Sequence, residues 1–289
     1  MDEFLFAWSL FHDAWLVALL LALVLPLCGI LLVLRHQLFL SAAIGQAATL
    51  GIALGIWLGI APATAPGSSH AESYSLLLAM AAGSLTAVLA MRALSTSGSQ
   101  LEARSVWVFL AGASLSVLLT SKQPHGLEEV HRLTLSSLLG ASSFDVWFAA
   151  ALLVVILMTA WRRRRGILLW AMDPVTTQVH GGSVVTYDLV LGIGIGVATG
   201  FAIHATGLLF AFGLTVLPVL LARRLGPSLR AVLWLAPCLG LATTAVALVV
   251  AHLADLPPGQ VAVGGLVLLL AVPGVVTGVW RLRSRRGGA

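Results

Sequence analysis

The sequence predicts an all-α, polytopic integral membrane protein, in which a bundle of apolar helices crosses the lipid bilayer. Of the 289 residues, 59% are hydrophobic and only 9% are charged, too few polar groups to cover the surface of a soluble domain. Windows such as 14–34 and 149–161 also lack any charge, and a bilayer-spanning helix needs about 20 mostly apolar residues. We therefore expect a single transmembrane domain over residues 1–289.

Hydropathy divides the chain into about nine apolar segments, and about eight to ten transmembrane or re-entrant helices is the expected range. The segments are 14–34, 38–60, 74–94, 105–121, 144–161, 184–203, 206–222, 231–253 and 260–280. Two places leave the number open. Only 204–206 separates the sixth segment from the seventh, which is a very tight turn between two full spans. Either both segments cross the membrane, or one of them is a half-helix or a broken helix that lines a cavity. The apolar stretch 133–140 is too short to cross, which favours a re-entrant or interfacial position.

The arginine positions predict the orientation. With the N-terminus outside and the C-terminus in the cytoplasm, fourteen of the sixteen basic residues fall on the cytoplasmic side, as the positive-inside rule requires. Only Lys122 and Arg132 then lie outside. The net charge of +5 and the pI near 10.2 therefore reflect arginines at the ends of spans, and no nucleic-acid partner is expected. The cytoplasmic set is Arg35, Arg92, Arg104, Arg162–Arg165, Arg223, Arg224, Arg230 and the arginines of 281–286.

The sixth segment contains Gly192, Gly194, Gly196 and Gly200. The first three match part of a dinucleotide-binding fingerprint, but that motif requires a strand before it and a phosphate-accessible helix start. Within a membrane-spanning helix, small residues at this spacing indicate close packing against another helix. Helix packing is the favoured interpretation.

A short segment with its own helix signals lies between the arginine cluster and the sixth segment. Asp173 is a good N-cap, Pro174 suits the first helical turn, and Gly181-Gly182 can end the helix. The pattern predicts a small helix outside the lipid, on the cytoplasmic face and within a loop of about residues 166–183. An ordinary amphipathic loop is the alternative.

Several kinds of chemistry are absent from the sequence. Its one lysine, Lys122, does not follow a glycine-rich turn, so the chain has no Walker A site and nucleotide energy would have to come through a partner. Ionisable residues within the spans, which proton- or sodium-driven carriers commonly use, are few. Gln46 is the main polar side chain in the middle of a span, while Asp188 and His252 lie near span ends. His204 is either a ligand at a pore mouth or a histidine that caps a tight turn.

The predicted outer side is rich in histidine and carboxylate. His70, Glu72, His125, Glu128 and His131 belong to this set, and imidazole with carboxylate is the ligand set of zinc, manganese and iron. The positive-inside bias also leaves acidic loops outside. The concentration of histidine and carboxylate residues on the outer side is therefore compatible with weak metal binding, and also with the positive-inside bias alone.

Taken in order along the chain, several motifs resemble the permease subunit of bacterial zinc/manganese-uptake ABC transporters. They cover nearly the whole chain, and their order and spacing are more specific than any one of them. The motifs are Leu34-Arg35-His36-Gln37, Ile44-Gly45-Gln46-Ala47, Gly51–Gly55, Leu135–Gly140, Asp173-Pro174 with His180-Gly181, Thr206-Gly207, Leu214–Pro218, Ala222-Arg223 and Leu256-Pro257-Pro258-Gly259.

The resemblance implies import of a divalent metal ion of the zinc, manganese or iron class across the bacterial cytoplasmic (inner) membrane. It implies a separate cytoplasmic subunit that binds ATP and Mg, an extracytoplasmic substrate-binding protein and a second permease copy, while this chain itself is no enzyme and binds no cofactor. The alternatives are an ATP-independent carrier or channel, or a permease of this family with a non-metal substrate. The implied ATPase-coupling residues are Met172, Asp173, Pro174, Val175, Gln178, His180 and Gly181, and the implied pathway residues are Ser41, Gln46, Thr49 and His204.

The second helix departs from the family pattern. Family members typically carry an aspartate there and, four residues later, a histidine, a pair that shares one helical face. This chain has Ala42 and Gln46 at those positions, so no metal ligand is predicted with certainty. Three accounts remain open: other ligands including His204, an ion that stays hydrated, or a different substrate.

Overall fold

The polypeptide folds into a bundle of α-helices, and the structure, a computed structural model, describes residues 2–59, 69–92, 98–121, 141–172, 174–179 and 182–271. No strand occurs within these ranges, which confirms the all-α prediction. In chain order the helices are α1 Asp2–Leu34, α2 Leu38–Trp57, α3 Ser69–Arg92, α4 Gly98–Thr120, α5 Ser143–Met172, α6 Pro174–Val179, α7 Val184–Thr206, α8 Leu208–Leu225, α9 Leu229–Ala254 and α10 Pro258–Ala271.

Within the described residues, eight helices are long and apolar enough to cross a membrane, namely α1 to α5 and α7 to α9. They correspond to the first eight predicted segments, so the polytopic prediction is confirmed. The ninth predicted segment, 260–280, begins in α10, and its second half lies outside the described residues. The stretch 133–140 also lies outside them.

A single residue, Gly207, joins α7 to α8. Its φ of 85° and ψ of 164° lie in a region that is essentially restricted to glycine. This conformation lets the chain reverse at once, and its N–H still caps α7 by donating to the Ile203 carbonyl. Both flanking helices are continuous, so the alternative of a broken helix does not describe this turn.

Helix α5 is distorted at Arg163, where φ is −113° and ψ is 18°. The distortion falls in the middle of the arginine cluster and separates an apolar part from a second helical part that continues to Met172. The loop predicted over about 166–183 is therefore helical for its first residues, because Ile167, Trp170 and Ala171 are buried and give this part an apolar packing face.

The glycines of α7 make its close contact with α3. A Cβ added at Gly200 would lie 2.7 Å from the Ala79 carbonyl oxygen, and one at Gly192 would lie 3.0 Å from the Val88 Cα. At Gly196 an added Cβ would collide with the Ser84 backbone. These contacts confirm the helix-packing interpretation of the glycine spacing.

The helices differ in how deeply they lie in the bundle. The apolar window of α2 is 83% buried and that of α5 only 11% buried. Helix α2 therefore runs through the centre of the bundle, while α5 presents apolar side chains such as Trp147, Val155 and Met158 outward. In a membrane, such an exposed apolar surface faces lipid or another membrane helix.

Candidate translocation and coupling sites

Three of the four predicted pathway residues lie on the central helix α2, and all three are buried. The Ser41 hydroxyl donates to the Leu38 carbonyl at 2.9 Å, and the Thr49 hydroxyl donates to the Gly45 carbonyl at 3.1 Å. Their hydrogen bonds are thus made within their own helix. Whether these side chains line a passage stays a prediction.

Gln46 lies where α4 packs against α2. A Cβ added at Gly112 would come within 2.9 Å of the Gln46 carbonyl oxygen and 3.0 Å of its Cβ. Only the missing side chain of Gly112 allows this approach. Gln46 is 8% exposed and Ala42, one helical turn earlier, is 5% exposed. These two positions, where the second helix departs from the resembled family's pattern, are therefore enclosed within the helix bundle.

His204 connects α7 to α3. Its Nε2 lies 3.1 Å from the hydroxyl of Ser75, close enough for a hydrogen bond between the two side chains. The turn beside it also reaches α2, because a Cβ added at Gly45 would meet the side chains of Ile203 and Leu208. The neighbours of Gln46 and of His204 thus belong to one packed layer.

Metal ligands are sparse near this layer. No group of three or more histidine, cysteine, aspartate or glutamate residues comes together in the part of the chain that the structure describes. The side chains of the candidate loop residues His70, Glu72, His125, Glu128 and His131 lie outside that part.

The predicted coupling helix is present as α6, between α5 and α7. Gln178 and Val179 are exposed on it, as is Met172 just before it, while Thr177 is buried. Gly182 donates its N–H to the Thr177 carbonyl at 2.9 Å, and the Ser183 hydroxyl then caps α7 by accepting from the Thr186 N–H. The predicted coupling residues Asp173, His180 and Gly181, and the side chains of Pro174 and Val175, lie outside the described residues.

A polar network lies directly beside this segment and joins the α1–α2 turn to the two helices α5 and α7. Arg35, in the α1–α2 turn, donates from a guanidinium nitrogen to the Trp170 carbonyl at 2.9 Å, and its Cζ lies 4.3 Å from the centre of the indole ring. The Trp170 indole N–H in turn donates to a carboxylate oxygen of Asp188 on α7 at 2.9 Å. Trp170 is fully buried and Asp188 is 6% exposed.

Electrostatics explain why these groups tolerate burial. Desolvation lowers the pKa of Arg35, and the nearby charge of Asp188 opposes that decrease. Asp188 also feels the charge of Arg92 at the end of α3. A buried carboxylate is costly unless it is hydrogen-bonded or compensated by opposite charge, and Asp188 has the Trp170 indole N–H as donor and the charges of Arg35 and Arg92 acting on it. The network therefore fixes the α1–α2 turn, the end of α5 and the start of α7 relative to one another.

Sequence reasoning did not find this network. The sequence predicts Arg35 as a cytoplasmic basic residue and Asp188 as an ionisable residue near a span end, but no pattern connects either of them to Trp170. The three residues are up to 153 positions apart (Arg35 to Asp188), so no local spacing indicates the contact. The available signals were the aspartate near the start of an apolar helix and the tryptophan just before the short segment.

Together, the bundle and the short exposed helix between two of its long helices define the chain as a multi-pass α-helical membrane protein. The chain belongs to the ABC 3 transport family, whose family model matches residues 7–276. This assignment confirms the family that the order of sequence motifs resembled.

One curated relative is a protein of Chlamydia trachomatis serovar D, described as a "probable metal transport system membrane protein". It is 23% identical over 154 residues, which cover 53% of this chain and 53% of the relative. The chain thus aligns with about half the length of that relative.

Two solved structures share the fold over most of the chain. PsaBC from Streptococcus pneumoniae, solved in complex with a Fab, superimposes with a TM-score of 0.75 at 17% identity and covers 94% of both chains. An inward-facing structure described as a metal-chelate type ABC transporter gives a TM-score of 0.67 at 14% identity, over 93% of this chain and 87% of the other.

Proposed function

We propose that this chain is the permease subunit of an ABC importer that moves a divalent metal ion of the zinc, manganese or iron class into the cytoplasm. It would work in the bacterial inner membrane with a second permease copy, an ATP-binding subunit that holds ATP and Mg, and an extracytoplasmic binding protein. Family membership over residues 7–276 supports the transporter class. The curated relative named for metal transport supports the cargo class.

The observation that carries the proposal is the exposed helix α6. A membrane bundle that a separate ATPase drives needs a docking element in the cytoplasm, and Met172, Gln178 and Val179 offer exposed side chains at that place in the chain. The element is also held to the bundle, since Trp170 lies only two residues before Met172. Movement imposed on α6 would reach Arg35 and Asp188 through the hydrogen bonds of Trp170.

In an alternating-access mechanism, this movement would change the side of the membrane to which the transport pathway opens. Closure of two ATP-bound subunits would displace both copies of α6, and the end of α5 and the start of α7 would move with them. The cargo would then pass along a route that includes Ser41, Gln46 and Thr49 of α2, with His204 near the end of this route. With Ala42 and Gln46 in the second helix, the ion would bind few protein ligands there and would keep much of its water.

Cysteine labelling tests the orientation on which the proposal depends. In a Cys238→Ser background, Val179→Cys on α6 and Leu256→Cys between α9 and α10 place single exposed thiols at the two ends of the bundle. We expect a membrane-impermeant maleimide to label Leu256→Cys in intact cells and Val179→Cys only after permeabilisation. The reverse labelling pattern would mean that α6 lies outside the cytoplasm and cannot be the docking site of the ATP-binding subunit.

Reconstitution tests the function. The chain, purified with its cognate ATP-binding subunit and placed in proteoliposomes, should take up radioactive zinc or manganese only when ATP and the binding protein are supplied. A Walker A lysine variant of the ATP-binding subunit is the control and should abolish uptake. Uptake that continues without ATP would favour a carrier or channel instead.

A further inference from the structure

The exposed apolar surface of α5 ends in a concentrated positive charge. Trp161 is 75% exposed at the end of the apolar part of this helix, and exposed tryptophans commonly lie at the level of the lipid headgroups. Arg162, Arg163, Arg164 and Arg165 follow immediately, and all four are exposed.

These arginines line an open surface cavity of about 520 Å³. The distortion of α5 at Arg163 interrupts the regular helix there. Gly166 and Tyr187 complete the lining, and Tyr187 of α7 lies directly over Gly166, where an added Cβ would collide with its hydroxyl. The cavity is therefore built from two helices, and a phosphate group fits within its volume.

The positive charge of the cavity is not neutralised by the described part of the chain. Among the described residues the ion pair present joins His12 to Asp13, and no carboxylate pairs with the four arginines. Arginine binds phosphate oxygens through two parallel N–H donors. An anionic phosphate is therefore the ligand class that the cavity would take.

We propose that this cavity, the Arg162–Arg165 pocket, binds the headgroup of an anionic phospholipid such as phosphatidylglycerol. The adjoining surface selects a lipid over a soluble anion, because Val154, Leu157 and Met158 are exposed along the same helix and can contact acyl chains. By the predicted orientation the lipid belongs to the cytoplasmic leaflet, where basic clusters next to a span attract anionic headgroups. The pocket does not depend on the proposed transport function.

Native mass spectrometry of the detergent-purified chain tests the pocket. Dioleoylphosphatidylglycerol should bind at least about fivefold more tightly than dioleoylphosphatidylcholine, since only the former carries net negative charge. The variant Arg162→Gln/Arg165→Gln should lose most of this preference. The matched control Arg104→Gln/Arg230→Gln removes two exposed arginines from the predicted same side and should keep it.

Three results would overturn the proposal. Equal affinity for the two lipids would mean that the pocket does not select an anionic headgroup. Equal loss of the preference in both double variants would mean that it arises from overall positive charge and not from this pocket. Saturation of the pocket by glycerol 3-phosphate at the lipid's concentration would assign it to a soluble anion. Thermal unfolding of each variant, expected within a few degrees of the native chain, shows that a loss of binding is not a loss of folding.

Discussion

The guanidinium group of Arg35 lies over the indole ring of Trp170, with 4.3 Å between the Arg35 Cζ and the ring centre, and also donates to the Trp170 carbonyl at 2.9 Å. One side chain thus makes a cation–π contact and a charge-assisted hydrogen bond with one partner. The partner belongs to the end of α5, two residues before the exposed Met172. The α1–α2 turn is therefore attached to the segment that leads into α6.

Removing the indole donor should loosen this attachment. In Trp170→Phe, a ring remains for Arg35, but Asp188 loses the N–H that donates to it. A hydrogen bond to a charged group contributes about 1.5–3 kcal/mol, and a buried carboxylate without it is costly. We expect a lower unfolding temperature in detergent and, in the reconstituted transporter, ATP hydrolysis that drives less uptake per ATP.

The exposed Trp234, 78% accessible on α9, is the matched control, and Trp234→Phe should change neither measurement. Asp188→Asn separates charge from hydrogen bonding, because the amide oxygen can still accept from Trp170 but no longer offsets Arg35 and Arg92. It should destabilise the fold as well. A network that does not transmit movement would lower the unfolding temperature and leave the uptake-to-hydrolysis ratio unchanged.

The α3–α7 contact should be sensitive to a single methyl group at one glycine and insensitive at another. Gly196→Ala places a Cβ into the Ser84 backbone, whereas nothing lies within 4 Å of a Cβ at Gly194. Overpacking at a close helix contact costs typically about 1–3 kcal/mol. We expect thermal unfolding in detergent to show a clear loss for Gly196→Ala and none for Gly194→Ala. Equal unfolding temperatures would mean that the two helices separate without penalty.

Gln46 should matter for transport more than for assembly. Gln46→Leu keeps a similar volume at the α2–α4 contact but removes the polar group, so uptake should change by several-fold while the complex still purifies intact. Thr244→Val, at a buried position of α9, is the control and should transport normally. Unchanged uptake in Gln46→Leu would exclude Gln46 from the pathway.

Most of the fold follows from hydropathy, because each bilayer-crossing helix must satisfy its backbone hydrogen bonds within itself and present apolar side chains. That requirement is local, so the hydropathy of the sequence predicts eight of the segments correctly. The predicted end of the fifth segment, residue 161, is wrong because α5 continues past its arginines to Met172. Its last turns are buried against protein and do not need to lie in lipid. Nothing local in the sequence signals that burial.

The candidate sites divide in the same way. The short helix α6 was predictable from Pro174 and the glycines that follow, since capping and chain reversal are local properties. The enclosure of Gln46 by Gly112 and the link from His204 to Ser75 were not, because each depends on how distant helices pack. Whether these residues conduct an ion stays a prediction.

Hydropathy and local helix signals are enough to predict a helical membrane protein with a short helix before its sixth span, and the order of the motifs indicates the correct family. Which residues meet at the predicted cytoplasmic end depends instead on how the helices pack against one another. Hydrophobicity acts on each helix separately through its transfer into lipid. The contacts of Trp170 with Arg35 and with Asp188 form only once the α1–α2 turn, α5 and α7 have packed together, because only then do these buried polar groups compensate one another.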